Sequence, residues 1–332
     1  MTRCAVIGAG AWGTALAEVL TGQGHDVCLW AYEPEVAREL QSSHTNSTFL
    51  PDVQLSSRLR ATSQLSEAVS GAAIVVYAPP SHVLRTLARQ AAAAIAPGAI
   101  VVVATKGIED ETLALTTDVV AEEHHGCSVV ALSGPSFAAE VVRGQPTAVV
   151  AASREEVARV TVQHAFSRPT FRVYTTDDVT GVAVGGALKN VVAIAAGISD
   201  GLGLGFTPRA ALITRALAEM TRLGSALGAR AETFAGLTGL GDLVLTCTGA
   251  LSRNRGLGEA LGRGQTVEQA LAGRHTVAEG VHTARTAHAL ARRLGVEMPI
   301  VDAVQRVLFE QHDPRQALME LMTRELRPER DA

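Results

Sequence analysis

The sequence predicts an α/β protein: an N-terminal doubly wound, Rossmann-type parallel-sheet domain followed by an all-α C-terminal domain. Three observations carry this prediction. Short β-branched runs alternate with amphipathic helical stretches up to about residue 180. A glycine-rich turn stands directly between the first of these runs and the first helical stretch. Beyond about Thr180 the strand signals stop and helical periodicity takes over. Nearly continuous apolar strands separated by helices read as a parallel sheet covered on both faces.

The first predicted strand, 4–7, runs into Gly8-Ala9-Gly10-Ala11-Trp12-Gly13 and then a helical stretch over 14–20. In such a G-x-G-x-x-G, the first glycine permits the tight turn and the second lets a pyrophosphate approach the backbone. The third lets helix and strand pack closely, and the helix N-terminus offers free N–H groups. Its position between strand and helix makes it a dinucleotide-binding signal. The second strand, 27–30, is followed by Ala31-Tyr32-Glu33-Pro34. Glu33 falls about 20 residues past Gly13, where an acid can bind the adenosine ribose and favour NAD; the other reading points it into solvent. No Arg or His is adjacent to neutralise a 2′-phosphate. Further strands are predicted over 74–78, 100–104, 129–133 and 148–151, with 171–174 as an edge. Helices follow over 182–198, 210–227, 256–262, 267–272, 282–294 and 302–309. The boundary is set at 181/182, giving a dinucleotide-binding domain over 1–181 and a substrate domain over 182–332. The join lacks a Pro- or Ser-rich linker, so the two domains are expected to pack firmly around a substrate cleft.

Composition narrows the function. With 47% hydrophobic and 19% charged residues the chain is expected to fold and bury a core, which excludes disordered and fibrous classes. A net charge of −4 without a Lys/Arg stripe leaves no electrostatic footprint for nucleic acid or an anionic membrane, so a small-molecule ligand is favoured. Cys4, Cys28, Cys127 and Cys247 are far apart with no C-x-x-C pair, which fits neither a zinc site nor a disulfide framework and suits a reducing cytoplasm. No transmembrane helix is predicted, because the stretch 99–104 is too short and 182–198 is interrupted by Gly185, Gly186, Lys189 and Asn190. Arg3, an apolar run and Ala15-Leu16-Ala17 imitate a secretory signal, but the dinucleotide motif explains the glycines there better.

Of the 29 cationic side chains, 27 are Arg and two are Lys, namely Lys106 and Lys189. An ammonium is compact and burial can bring its pKa towards neutrality, whereas Arg stays protonated. Chance survival under a composition bias is the bland explanation, and the neighbourhoods decide between the two. Lys106 follows the strand 100–104 at a carboxyl end of the sheet, the edge where doubly wound folds bind ligands. Lys189 sits in Gly185-Gly186-Ala187-Leu188-Lys189-Asn190, inside the most apolar helical stretch, where an ammonium without purpose is expensive to bury. Ser133-Gly134-Pro135-Ser136 follows the next strand and could hold a substrate oxygen, or Ser136 could simply N-cap a helix over 137–142. Gly239-Leu240-Gly241-Asp242 and Ser252-Arg253-Asn254-Arg255 are polar clusters among helices. The second reads either as a phosphate or carboxylate clamp or as a solvated surface.

Together GAGAWGTALAEVL, TNSTFLPDV, ATKGIE, LSGPSFAAEV, GGALKNVVAIAAGISDG, ALITRALAEM, GLGDLVLTCTGALSRNRGLG and GVEMPI closely resemble the bacterial NAD(P)-dependent glycerol-3-phosphate dehydrogenase family over residues 4–320. The resemblance implies reversible reduction of dihydroxyacetone phosphate to sn-glycerol 3-phosphate, a phospholipid precursor, by a homodimeric enzyme using NAD(P)H. By matching position, Lys189 resembles the family's proton-transfer residue, with Asp242 and Lys106 beside it. Lys106, Gly134, Ser136, Lys189, Asp242, Ser252, Arg253 and Asn254 match substrate contacts. Gly8, Gly10, Ala11, Trp12, Gly13, Tyr32, Lys106, Ala138, Arg253, Val277 and Glu279 match cofactor contacts. Three positions depart from the family: Ala11 replaces the usual Ser, Tyr32 stands where many members carry Arg or His, and Thr207 replaces an Asn. NAD and NADP both remain open. Two other expectations are carried: a related reductase of a 2-keto or 3-hydroxy acid, and a nucleotide-binding redox sensor without catalysis.

Overall fold

The computed structural model describes residues 1–272, 278–326 and 328–329. Eight strands form one sheet: β1 Arg3–Ile7, β2 Asp26–Trp30, β3 Arg60–Thr62, β4 Ile74–Tyr77, β5 Ile100–Val103, β6 Ser128–Ser133, β7 Thr147–Ala152 and β8 Phe171–Thr176. Their order is β3-β2-β1-β4-β5-β6-β7-β8. The helices of this region are α1 Ala11–Gly22, α2 Pro34–Ser42, α3 Leu65–Val69, α4 Leu84–Ala92, α5 Thr116–Glu123, α6 Ala138–Val142 and α7 Glu156–Phe166. Alternate strand residues feed two apolar layers. Val6, Leu29 and Val102 pack in the layer that holds Leu16 and Leu20 of α1, while Ile7, Trp30 and Val103 pack in the one that holds Leu84 and Ala88 of α4.

The expectation of a wholly parallel sheet needs one correction: β7 runs antiparallel to β6, and β8 then pairs parallel to β7 at the edge. The chain between β6 and β7 is taken up by the Gly134-Pro135 turn and the five-residue α6. From this turn and short helix the chain returns beside β6 in the opposite direction. The first six strands keep the parallel order that places ligands at their carboxyl edge.

Beyond the sheet the chain is helical: α8 Val179–Gly201, α9 Phe206–Ala226, α10 Ala231–Phe234, α11 Asp242–Thr248, α12 Arg253–Gly262, α13 Val267–Leu271, α14 Glu279–Leu294, α15 Pro299–Phe309 and α16 Pro314–Met322. A single turn of π-helix, Leu237–Gly241, leads into α11. Helix α8 starts three residues before the expected boundary, because the Asp178 carboxylate caps it by accepting from the Gly181 N–H at 2.9 Å. The same carboxylate accepts from the Arg230 N–H at 3.0 Å and the Thr233 hydroxyl at 2.6 Å, tying the start of α8 to the segment that leads to α11.

By length and composition α8 could cross a bilayer, yet 89% of its most apolar window is buried inside the protein. Its apolarity is therefore accounted for by the core of the helical region, where Val184, Leu188, Val191 and Ile194 pack with Leu243, Leu257 and Leu290. Against α12 the approach is backbone to backbone. A Cβ on Gly197 would stand 2.0 Å from the Arg255 carbonyl oxygen, and one on Gly258 would stand 2.0 Å from that of Ile194. Any side chain at these points would force the helices apart.

Candidate active site

The loop after β1 has the geometry its three glycines require. Gly8 has φ +110°, and a Cβ on Gly13 would stand 1.9 Å from the Gly8 carbonyl oxygen, so both are needed for the turn itself. A Cβ on Gly10 would meet nothing within 4 Å. The room in front of Gly10, at an α1 N-terminus with no side-chain cap, therefore fits a pyrophosphate that takes up the free N–H groups. Ala11 and Trp12 open α1, and the Trp12 indole N–H is buried without a partner among the described residues. Asn46 and Thr14 brace the loop, donating to the Ala9 carbonyl at 2.8 and 3.2 Å. Tyr32 is 77% exposed past the end of β2 and meets Trp30 edge-on at 6.2 Å. Glu33 stands at the N-cap of α2 without a side-chain capping bond. Ala138 begins α6 and packs against the layer under α1.

Across the carboxyl edge of the sheet lies a buried charged cluster. Lys189 donates from Nζ to Asp242 Oδ1 at 2.6 Å and to Thr246 Oγ1 at 3.1 Å. Lys106, arriving from the loop after β5, donates to Asp242 Oδ2 at 2.6 Å. The two lysines thus share one carboxylate, although they are far apart in sequence. Asp242 has 0% exposure and Lys189 has 8%. The preceding π turn adds a residue to the helical repeat and re-aims the face on which Asp242 leaves it.

Burial pushes the Lys189 ammonium down from 10.5 to about 8; the Asp242 charge opposes this and the Lys106 charge adds to it. Burial alone would raise the Asp242 carboxyl, but Lys106 and Lys189 outweigh it and hold the group below its usual range. Glu279, the first residue of α14, feels the same region: burial raises its carboxyl to about 7, against the pull of Arg253, Lys106 and Lys189. A lysine that gives up its proton near neutrality is suited to proton transfer.

The Ser252-Arg253-Asn254-Arg255 run splits by role. Ser252 caps α12, its hydroxyl accepting from the Arg255 N–H at 3.2 Å. Arg253 is exposed on the first turn. Asn254 ties three helices, donating to Asn190 Oδ1 and accepting from the Gly280 N–H, both at 3.0 Å. Arg255 turns to Asp200 at 2.8 Å, which also pairs with Arg209 at 3.0 Å. Gly134 has φ +146°, and the Ser136 hydroxyl donates to its carbonyl at 3.0 Å. Ser136 is not a helix cap, since α6 starts at Ala138 with Phe137 before it. Val277 lies outside the described residues. Thr207 is exposed on the first turn of α9, and nothing in the structure explains its departure from Asn. Thr246 was not among the expected site residues, although it stands one turn after Asp242 on the same face of α11.

Hydride transfer asks a protein for a slot that fixes a dinucleotide and a charged group to meet the charge that develops on the other reactant. This fold offers the slot at the Gly10 cradle and the charged group in the lysine–carboxylate cluster, which places it among two-domain, nicotinamide-dependent oxidoreductases. The family model described as NAD-dependent glycerol-3-phosphate dehydrogenase N-terminus matches residues 3–159, and the corresponding C-terminus model matches residues 178–319. The chain belongs to the NAD-dependent glycerol-3-phosphate dehydrogenase family. It is 55% identical to glycerol-3-phosphate dehydrogenase [NAD(P)+] of Geobacter sulfurreducens, over 99% of each chain. The relative of the same description in Trichlorobacter lovleyi is 54% identical over 98% of this chain and 99% of its own. The crystal structure of glycerol-3-phosphate dehydrogenase from Coxiella burnetii superposes with a TM-score of 0.94 at 40% identity, covering 97% of this chain and 99% of the other. A ketopantoate reductase from Ralstonia eutropha, at 18% identity and a TM-score of 0.61, shares the fold alone.

Proposed function

We propose that this chain reversibly reduces dihydroxyacetone phosphate to sn-glycerol 3-phosphate with NAD(P)H, supplying a precursor for phospholipid synthesis, in the cytoplasm and as a homodimer. The observation that carries the chemistry is the buried Lys189 ammonium held 2.6 Å from Asp242. The division into a cofactor domain over 1–181 and a substrate domain over 182–332 belongs to this reading. Gly8, Gly10, Ala11, Trp12 and Gly13 would hold the pyrophosphate side of the dinucleotide, Tyr32 the adenosine side, and Lys106, Ala138, Arg253, Val277 and Glu279 the remainder. The bound reduced nicotinamide supplies the hydride.

As charge builds on the substrate carbonyl oxygen, Lys189 stabilises it and donates the proton. Asp242 keeps Lys189 aimed and charged until that moment, and Lys106 places the hydroxyketone end. Arg253, Ser252 and Asn254, with Gly134 and Ser136, hold the phosphate and the chain between, so that the carbonyl is presented in one orientation. In the reverse direction the neutral Lys189 amine takes the proton from the secondary alcohol.

The test is steady-state oxidation of NADH and of NADPH with dihydroxyacetone phosphate, for the wild type and Lys189→Ala. The variant should lose about 10²-fold or more in turnover with cofactor affinity nearly unchanged. Unaltered turnover removes the proton-transfer role. Faster reduction of a carboxylated than of a phosphorylated ketone would favour the keto-acid reading instead.

A further inference from the structure

Between the carboxyl ends of β5 and β6 and the helices α5 and α8 lies a cavity of about 10 Å³, lined among others by Lys106, Thr117, Ser133, Val182 and Gly186. Its polar wall is of two kinds. Thr105 and Thr116 are satisfied, their hydroxyls donating to Pro79 O at 2.8 Å and to Thr105 O at 3.1 Å. Thr117 and Ser133 are 3% and 4% exposed, and neither hydroxyl has a partner among the described residues. A buried hydroxyl left unpaired loses as much as a hydrogen bond is worth, and an apolar residue in these places, Val for Thr117 or Ala for Ser133, would avoid that loss. Two such groups around one small space point to an occupant that bonds to both. The volume admits one water and nothing larger.

The cavity also borders the charged cluster. A Cβ on Gly186 would stand 2.9 Å from Ser133 Oγ and 3.5 Å from Lys106 Cγ, so the Ser133 hydroxyl, the stem of Lys106 and the backbone of α8 meet at one point. We propose that the cavity binds a single water bridging Ser133 and Thr117, and that these two are positioning residues for Lys106. A bridging water locks α5 to the end of β6 and completes the wall along which the Lys106 stem lies. The stem is then directed towards Asp242 rather than free to swing into the cleft. The water site stands on the cavity geometry; its effect on the reaction rests on the role proposed above for Lys106.

A crystal structure of the full chain that resolves ordered waters should show one water within hydrogen-bond distance of both hydroxyls. Hydroxyls turned onto backbone carbonyls with no water between them would overturn the site. In kinetics, Thr117→Val and Ser133→Ala should each raise KM for dihydroxyacetone phosphate about threefold to tenfold with a smaller change in kcat. The double variant should be no worse than the weaker single one, since the first substitution already removes the bridge. Thr117→Ser, which keeps the hydroxyl, should restore the wild-type KM and shows that the position tolerates change without loss of fold. Independent, additive losses would overturn the bridge, and unchanged KM in variants whose crystals lack the water would overturn the positioning role. Wild-type chain that holds the water but does not reduce the ketone would sink the functional reading and leave the water site intact.

Discussion

Asp242→Asn keeps the shape of the residue and removes the charge that both ammoniums contact at 2.6 Å. Breaking one side of a buried ion pair costs about 3–5 kcal/mol. Divided between two lysines, this is about 2 kcal/mol each, so in the variant Lys189 should titrate below its wild-type value of about 8. In the proposed mechanism reduction uses the ammonium, so its rate falls as pH rises through the Lys189 pKa; oxidation uses the neutral amine and rises through it. At pH 8 the loss of ammonium should slow reduction by about tenfold or more, since 1.36 kcal/mol is worth a factor of ten, whereas at pH 6 the loss from protonation is small. The assay is the initial rate of NAD(P)H oxidation at saturating dihydroxyacetone phosphate across neutral and alkaline pH, with the reverse reaction followed in parallel. Three other groups bear on the profile. Lys106 shares the carboxylate, Glu279 is raised to about 7 and adds an inflection below that of Lys189 in the wild type, and the Cys247 thiol is pushed up to about 12 by burial and stays neutral. A loss of equal size at every pH, or an alkaline limb that does not move, would refute the reasoning.

The glycine loop separates folding from binding. Gly13→Ala drives a Cβ to 1.9 Å from a carbonyl oxygen and should lower stability by about 1–3 kcal/mol in thermal denaturation. Gly10→Ala meets open space, so the melting temperature should hold while NADH affinity, read by fluorescence titration, weakens about tenfold. Arg253→Ala should raise KM for the phosphorylated substrate about tenfold or more with little change in kcat, and an unaltered KM would count against the phosphate assignment. Tyr32→Arg places a guanidinium at an exposed position past β2, and the ratio of kcat/KM for NADPH over NADH should rise about tenfold; a ratio that stays put would move the 2′-phosphate site elsewhere.

The strands with continuous apolar runs were legible because each is buried on both faces. Ile74–Tyr77 is buried at every position and falls within the expected strand over 74–78, one residue shorter. Arg60–Thr62 was missed: three residues with one exposed leave no run to read, and the strand exists because β2 offers it an edge. The antiparallel direction of β7 was illegible for another reason, since side-chain alternation carries no sign of strand direction. In the site, Lys189 stood out because lysine is scarce and its surroundings are apolar, and Lys106 because it follows a strand. That Asp242 stands beside both came only through the family resemblance, because the π turn that aims the carboxylate reads in sequence as a glycine-rich loop. Thr246 carries no signal in the sequence, and its hydroxyl gains a role from the ammonium that comes to meet it.

The contact of α8 with α12 through bare glycines reaches beyond stability. Lys189 rides on one helix and Arg253 on the first turn of the other, and main chain against main chain leaves no slack between them. With the roles proposed above for these two residues, the pair would act as a caliper with locked jaws: the gap from proton donor to anion grip would be fixed by atoms that every residue shares, and exchanging the gripping side chains alone would not retune it for substrate length.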